Sequence, residues 1–283
     1  MYLYGIGVDK SSEFAKIWFE KSSLQYHSES QYELAVLYLG EDLGPPNKKL
    51  GYSLLEKASS SIKQNNSQPS YDAIVLRGRC LKNGWGVKKN VKESIKYFKK
   101  ASVNRSSRRI AGDGFFQLGL LYYFGVGVKK NFKIAFANFM KSVKKDNSDS
   151  KYYVAGMLYY GEGTEPNEVK AFKYFKEVDK EQLAEDEYLI KTYFMLGYCS
   201  LLGIGAKQNI KVALKYLNKA NDDGHNEAKY WLGYYYFLCV EEDGGDNQDI
   251  ANKAFSFLNK ASKSNIEDSH YYLGLCYSNE IGV

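Results

Sequence analysis

Histidine, cysteine and proline are scarce in this chain of 283 residues, at three, four and four positions. The histidines His27, His225 and His270 lie far apart, and no HExxH run occurs, so no metal ligand set is expected. Gly-x-x-x-x-Gly-Lys-Ser/Thr and Gly-x-Ser-x-Gly are also missing, which argues against a phosphate loop and against a strained nucleophile turn. No catalytic residue and no cofactor site is therefore expected. Cys80, Cys199, Cys239 and Cys276 form no CxxC and no close pair; free thiols in a reducing compartment are the simple reading. The opening Met1-Tyr2-Leu3-Tyr4-Gly5 lacks a basic segment leading into an apolar run, so no signal peptide is read there. The longest apolar stretches, at 115–128 and 230–240, are too short to span a bilayer. The expectation is a soluble, non-enzymatic protein, cytoplasmic if the chain is complete.

Glycine and aromatics are plentiful: 25 Gly, and 16% Phe, Trp and Tyr. Gly-x-Gly turns recur at Gly5/Gly7, Gly84/Gly86, Gly125/Gly127, Gly161/Gly163 and Gly203/Gly205. Such self-similarity marks a stack of supersecondary units. Before each turn the pattern reads as a helix, as in Phe115–Tyr123, with Gly119 in its middle. A mid-helix glycine costs about 1 kcal/mol against Ala, which makes sense where another helix approaches closely. Ala35, Gly78, Gly156, Gly197, Gly233 and Gly274 hold the same place.

A second helix then begins four residues before a small residue. Asn131 precedes Ala135 at that offset, Asn90 precedes Ser94, Asn209 precedes Ala213, Asn167 precedes Ala171, Asn47 precedes Gly51 and Ser11 precedes Ala15. Asn and Ser are strong N-caps, so each marks a helix start. Tyr97-Phe98, Phe139, Tyr174-Phe175, Tyr216-Leu217 and Phe257-Leu258 are the candidate core face of these second helices. Two units depart from the pattern: one carries Gly40-Glu41-Asp42-Leu43-Gly44-Pro45-Pro46 in place of the turn, another the acidic run 239–249. Within that run, 243–249 superficially suggests a calcium loop. Gly245 stands where an EF-hand needs its third ligand, so a solvated loop is expected.

These residues resemble the Sel-1-like repeat (SLR), a relative of the tetratricopeptide repeat. Tyr193-Phe194-Met195-Leu196-Gly197, the turn at Gly203/Gly205 and Ala213–Ala220 match a whole unit; Tyr271–Tyr277 matches a first helix. The resemblance implies an all-α fold, a right-handed α/α superhelix (solenoid) of about six to seven helix-turn-helix units. The expected bounds are 1–26 (partial), 28–59, 70–103, 113–145, 150–179, 187–221, 226–262 and 268–283 (partial), making one repeat domain over 1–283. Uneven connections at 59–70 and 178–186 suggest an irregular superhelix. Both ends fall inside a unit, so a fragment of a longer repeat protein is expected, with head-to-tail docking of half-units as the alternative. Some bacterial relatives staple each unit with a disulfide, and this chain lacks cysteine at those positions.

The resemblance implies a non-catalytic scaffold or adaptor acting on protein partners. Two sets of residues are candidates for contact. First helices carry extra aromatics, Tyr123, Tyr160, Tyr198, Trp231, Tyr234 and Phe237, and Tyr and Trp are favoured interface anchors; packing between adjacent units is the competing role. Between Arg77 and Lys145, eighteen Lys/Arg stand against two acids, Glu93 and Asp113, whereas the rest of the chain holds 21 basic and 31 acidic residues. Lys88, Lys89, Lys129 and Lys130 follow turns; Arg105, Arg108 and Arg109 fall in a connection. Such a block attracts an acidic protein segment, with nucleic acid or an anionic membrane surface as less favoured partners. Its competing role is a solvated lysine-rich face. A third reading, β-lactam binding or enzymatic activity as in some relatives, has no nucleophile and base in this sequence to support it.

Overall fold

The computed structural model describes residues 1–60, 70–180, 186–242 and 247–283. Every regular element among them is an α-helix; an isolated bridge joins Asp42 and Gly44. Met1–Asn147 forms one compact unit. There α1 (Ser12–Ser23) precedes three hairpins: α2 (Ser28–Leu39) with α3 (Lys48–Ala58), α4 (Tyr71–Asn83) with α5 (Val91–Ser102), and α6 (Arg108–Phe124) with α7 (Phe132–Val143). Ser148–Val283 forms the other. It pairs α8 (Asp149–Tyr160) with α9 (Glu168–Val178), α10 (Asp186–Leu202) with α11 (Ile210–Asp222), and α12 (Asn226–Glu242) with α13 (Gln248–Ser262), before a single α14 (Glu267–Ser278). This is the expected all-α repeat fold. The connections at 59–70 and 178–186 and the acidic run 243–249 lie largely outside the described residues.

Four of the hairpins are pinned at the turn by one asparagine that serves both helices. The side chain of Asn131 accepts a hydrogen bond from Ile134 N at 3.0 Å and starts α7, while its own backbone N–H donates to Tyr122 O of α6 at 2.9 Å. Asn90 does the same between α5 and α4, and Asn209 between α11 and α10. Ser11, Asn47 and Asn167 also cap their helices as the spacing predicts. A seventh cap, Asn247 on Ile250 N, starts α13 after the divergent acidic run.

The helix glycines admit side chains from the partner helix. A Cβ at Gly119 would lie 2.5 Å from the Phe139 ring, and one at Gly78 2.6 Å from Phe98. In the other unit Leu217 and Leu258 lie over Gly197 and Gly233, at 2.7 and 2.9 Å from a Cβ there. Phe98, Phe139, Phe175, Leu217 and Leu258 are all buried to 1% exposure or less, each contributing roughly 1.5–3 kcal/mol by apolar burial. Gly156 and Gly274 are exceptions, with open space where a Cβ would go. Second helices bury a single stripe, such as Ala135, Phe139 and Ser142 in α7, whereas α6 is buried on several sides.

Three boundaries differ from the sequence reading. The helix α6 starts at Arg108, capped by Ser107, so Arg108 and Arg109 open a helix instead of lying in a connection. Gly112 and Gly114 resemble helix breakers, but a Cβ on Gly114 would press 2.8 Å from Phe98 O, so a close approach to α5 requires glycine there. The segment after α2 leaves the helix with extended backbone at Gly40 rather than a left-handed cap. After α14 the turn is completed by Glu280 and Gly282, both at positive φ, with Glu280 in the place of the first glycine.

The second turn glycine locks one hairpin onto the preceding one. Gly205 has φ +69°, and a Cβ there would enter the backbone carbonyl of Glu168, in the first turn of α9. Gly205→Ala should cost about 3 kcal/mol or more, from left-handed strain plus a rigid clash. Gly156→Ala, in a helix with free space, should instead gain about 0.5–1 kcal/mol. Urea midpoints of the two variants should move in opposite directions from the parent.

Candidate functional site

The two sets of residues singled out from the sequence are organised differently. In the second unit, the first helices α8, α10, α12 and α14 carry a continuous run of rings. Tyr160 is 67% exposed and meets Tyr159 edge-on at 4.8 Å. The Tyr159 hydroxyl lies beside that of Tyr198, and burial raises its pKa well above the ordinary tyrosine value. Tyr198 meets Trp231 at 4.8 Å, Trp231 meets Tyr234 at 5.7 Å, and Tyr234 meets Tyr272 at 5.0 Å. Such edge-to-face and offset contacts contribute about 0.5–1.5 kcal/mol each beyond burial. Tyr198, Trp231 and Tyr234 are half-buried, so the row both joins successive hairpins and leaves ring surface open to solvent.

The remaining two aromatics stand elsewhere. Phe237 is 1% exposed and packed in the core beside Tyr272, so it presents no surface to a partner. Tyr123 belongs to the first unit, where it packs against Phe124, Phe132 and Phe139 at 5.0–6.3 Å. Sequence reasoning missed Tyr159, Phe194, Tyr230 and Tyr272, which complete the row; all are aromatic at first-helix positions, the signal used for the others. His225 stacks on Phe194 at 4.5 Å. Its Nδ1 lies 3.2 Å from the Glu227 carboxylate without hydrogen-bond geometry, and burial holds its pKa below the ordinary value.

The basic block of the first unit is partly neutralised by acids just outside its bounds. Arg77 pairs with Glu56 at 2.7 Å and lies over the Tyr97 ring at 4.8 Å. Arg108 pairs with Asp146 at 3.0 Å. Arg109 bridges Asp72 at 2.5 Å and Asp113 at 3.5 Å. Lys130 lies 4.4 Å from the Phe132 ring centroid. Lys88, Lys89, Arg105 and Lys129 are exposed without an ion pair among the described residues. Ion pairs thus reach Arg77, Lys96, Arg108 and Arg109, while Lys92, Lys99, Lys100 and Lys133 remain exposed without one among the described residues, beside the lysines after the turns.

Cys80, Cys199 and Cys276 are buried among apolar side chains, and desolvation pushes their thiols up to about 11, 12 and 11. Such thiols stay protonated and poorly nucleophilic. Cys239 is half-buried. Among the described residues no group of three His, Cys, Asp or Glu could hold a metal, and no helix is long and apolar enough to cross a membrane.

Comparison with protein families matches the Sel1 repeat at residues 1–27, 28–61, 72–102, 116–147, 148–177, 190–225, 226–265 and 267–283. No curated protein matches the chain. Among solved structures, a protective antigen present in uropathogenic Escherichia coli strains, which displays an SLR fold, superposes with a TM-score of 0.67 at 19% identity. That match covers 100% of this chain and 63% of the antigen, so the chain spans less than two thirds of that protein. A Sel1 repeat protein from Oxalobacter formigenes superposes with a TM-score of 0.61 at 23% identity, over 77% of this chain and 80% of that one. These likenesses concern the fold.

Two measurements check the chemistry of the buried groups. At neutral pH the folded chain should titrate with at most one equivalent of an aromatic disulfide reagent, at Cys239, and all four cysteines should react in urea. His225 should make stability fall as pH drops through about 6.5, because the unfolded chain takes up a proton that the folded one resists. His225→Gln should flatten that part of the stability–pH curve relative to the parent.

Proposed function

The chain belongs to the Sel1 repeat family, whose members are generally protein-interaction scaffolds, and we propose that this one is a non-catalytic adaptor binding a protein partner across the aromatic first-helix row of its second unit. The observation that carries this reading is the continuity of the row. Tyr159, Tyr198, Trp231, Tyr234 and Tyr272 touch in series across successive hairpins, and Tyr160 stands largely free at one end. Rings already held by their neighbours lose little conformational freedom when a partner covers them, so their remaining surface is pre-organised for binding. Tyr160, Tyr198, Trp231 and Tyr234 are the proposed contacts.

A photo-crosslinking residue placed at Tyr160 in the native cell tests this reading. One discrete protein should be captured there, and capture should drop at least about tenfold in the Trp231→Ala background, the loss expected for an interface anchor. The same residue placed at Val169, 68% exposed on the second helix α9, should capture none of it. Equal capture from both positions, or none at Tyr160, would overturn the proposal.

A further inference from the structure

A small polar cleft of about 120 Å³ opens between the first helices α2, α4 and α6 of the first unit, lined by Tyr32, Asp72, Arg79, Arg109 and Asp113 with Val75 and Leu76. Its charged groups are not evenly paired. Arg109 is engaged with both aspartates, at 2.5 Å to Asp72 and 3.5 Å to Asp113. Asp113 accepts a further hydrogen bond from Asn147 Nδ2 at 3.0 Å. Arg79 has neither an ion pair nor a hydrogen bond to any described residue, and its buried Nε–H lacks an acceptor. Buried donors are nearly always satisfied, and one left unmatched in a native structure calls for an explanation. The Tyr32 hydroxyl also makes no hydrogen bond to a described residue, and burial next to Asp72 pushes its pKa up to about 12, so it remains a donor.

We propose that this cleft receives one carboxylate of a peptide ligand, paired with the Arg79 guanidinium and helped by the Tyr32 hydroxyl. A guanidinium matches a carboxylate in geometry as well as charge. The count of charges disfavours a dianion. Asp72, Asp113 and the neighbouring Glu33 already outnumber Arg79 and Arg109, so a phosphate dianion would meet twice the repulsion that a single carboxylate does. The small volume accepts a carboxylate with its adjoining methylene and excludes a bulkier head group. The pairing stands on the cleft alone; that the carboxylate arrives on a peptide rests on the scaffold reading above. The residues differ from those of the aromatic row, so the two proposals succeed or fail separately.

The test uses the full chain with nitrogen-labelled arginine. The Arg79 Nε–H resonance, assigned by its loss in Arg79→Gln, should shift saturably with sodium acetate and not with sodium chloride at equal ionic strength. Three short dye-labelled peptides then separate the sources: one neutral with a free C-terminus, one with a single internal glutamate and an amidated C-terminus, and a neutral amidated blank. One of the first two should bind at least about tenfold tighter than the blank, a gain typical of one charge-assisted pair. Arg79→Gln should abolish that advantage, Arg79→Lys should keep part of it, and Tyr32→Phe should reduce it. An Arg79 resonance indifferent to acetate overturns the pairing. Acetate binding with neither peptide above the blank overturns the peptide ligand. An unchanged advantage in a folded Arg79→Gln variant overturns the role of Arg79; if that variant unfolds, Tyr32→Phe and Arg79→Lys decide the same question.

Discussion

The stacking of hairpins depends on a backbone contact that only glycine permits. At Gly86, Gly127 and Gly205 the second turn glycine is left-handed and lies against the first turn of the second helix in the preceding hairpin. Gly205 sits on the Glu168 carbonyl, and Gly86 sits on that of Lys48. A side chain would have to enter a main-chain carbonyl that cannot move without dismantling its own helix. The turn therefore fixes two things at once: the direction in which its own chain reverses, and the distance to the neighbouring hairpin. The capping asparagine adds the third constraint, because its side chain starts the second helix while its N–H holds the end of the first.

Much of this was legible in the sequence because it is local. A cap and the small residue four positions later lie in one stretch of chain, as does a Gly-x-Gly pair, and the six expected caps all form. What escaped depends on contacts between residues far apart. The need for glycine inside α6 shows only when the backbone of α5 is seen against Gly114 and Lys145 and Asn147 against Gly112. The block of eighteen basic residues looks unopposed because its acids, Glu56, Asp72 and Asp146, lie just beyond its bounds. Arg109 and Asp72 are separated by 37 positions, about one hairpin, a distance over which sequence alone gives no register. Phe237 read as an extra surface ring for the same reason: whether an aromatic residue faces solvent or the next hairpin is settled by stacking.

Stacking also explains why the contact chemistry differs between the two units on equivalent positions. The residue immediately after the helix glycine is Arg79 in α4, Tyr198 in α10 and Tyr234 in α12. Six residues before that glycine stand Asp72 and Asp113 in the first unit, and Lys191 and Glu227 in the second. The fold needs little from these positions beyond compatibility with a helix. Glycines, caps and buried second-helix residues already hold the hairpins together, so first-helix positions outside that set are free to vary.

The repeat geometry then turns single substitutions into surfaces. Residues about one hairpin apart in sequence become side-by-side neighbours, so similar residues at one register form a row and opposite charges at adjacent registers form a cleft. Tyr198, Trp231, Tyr234 and Tyr272 make the row. Asp72, Arg109 and Asp113 make the cleft wall and leave Arg79 unmatched within it. Rigid spacing is what gives either arrangement chemical meaning. A guanidinium on a flexible loop would find a carboxylate of its own protein, whereas Arg79 is held by α4 out of ion-pair reach of the aspartates that Arg109 engages. A scaffold of this kind gains specificity by leaving a few donors and ring faces unsatisfied at fixed positions, and the glycine contacts between hairpins keep them there.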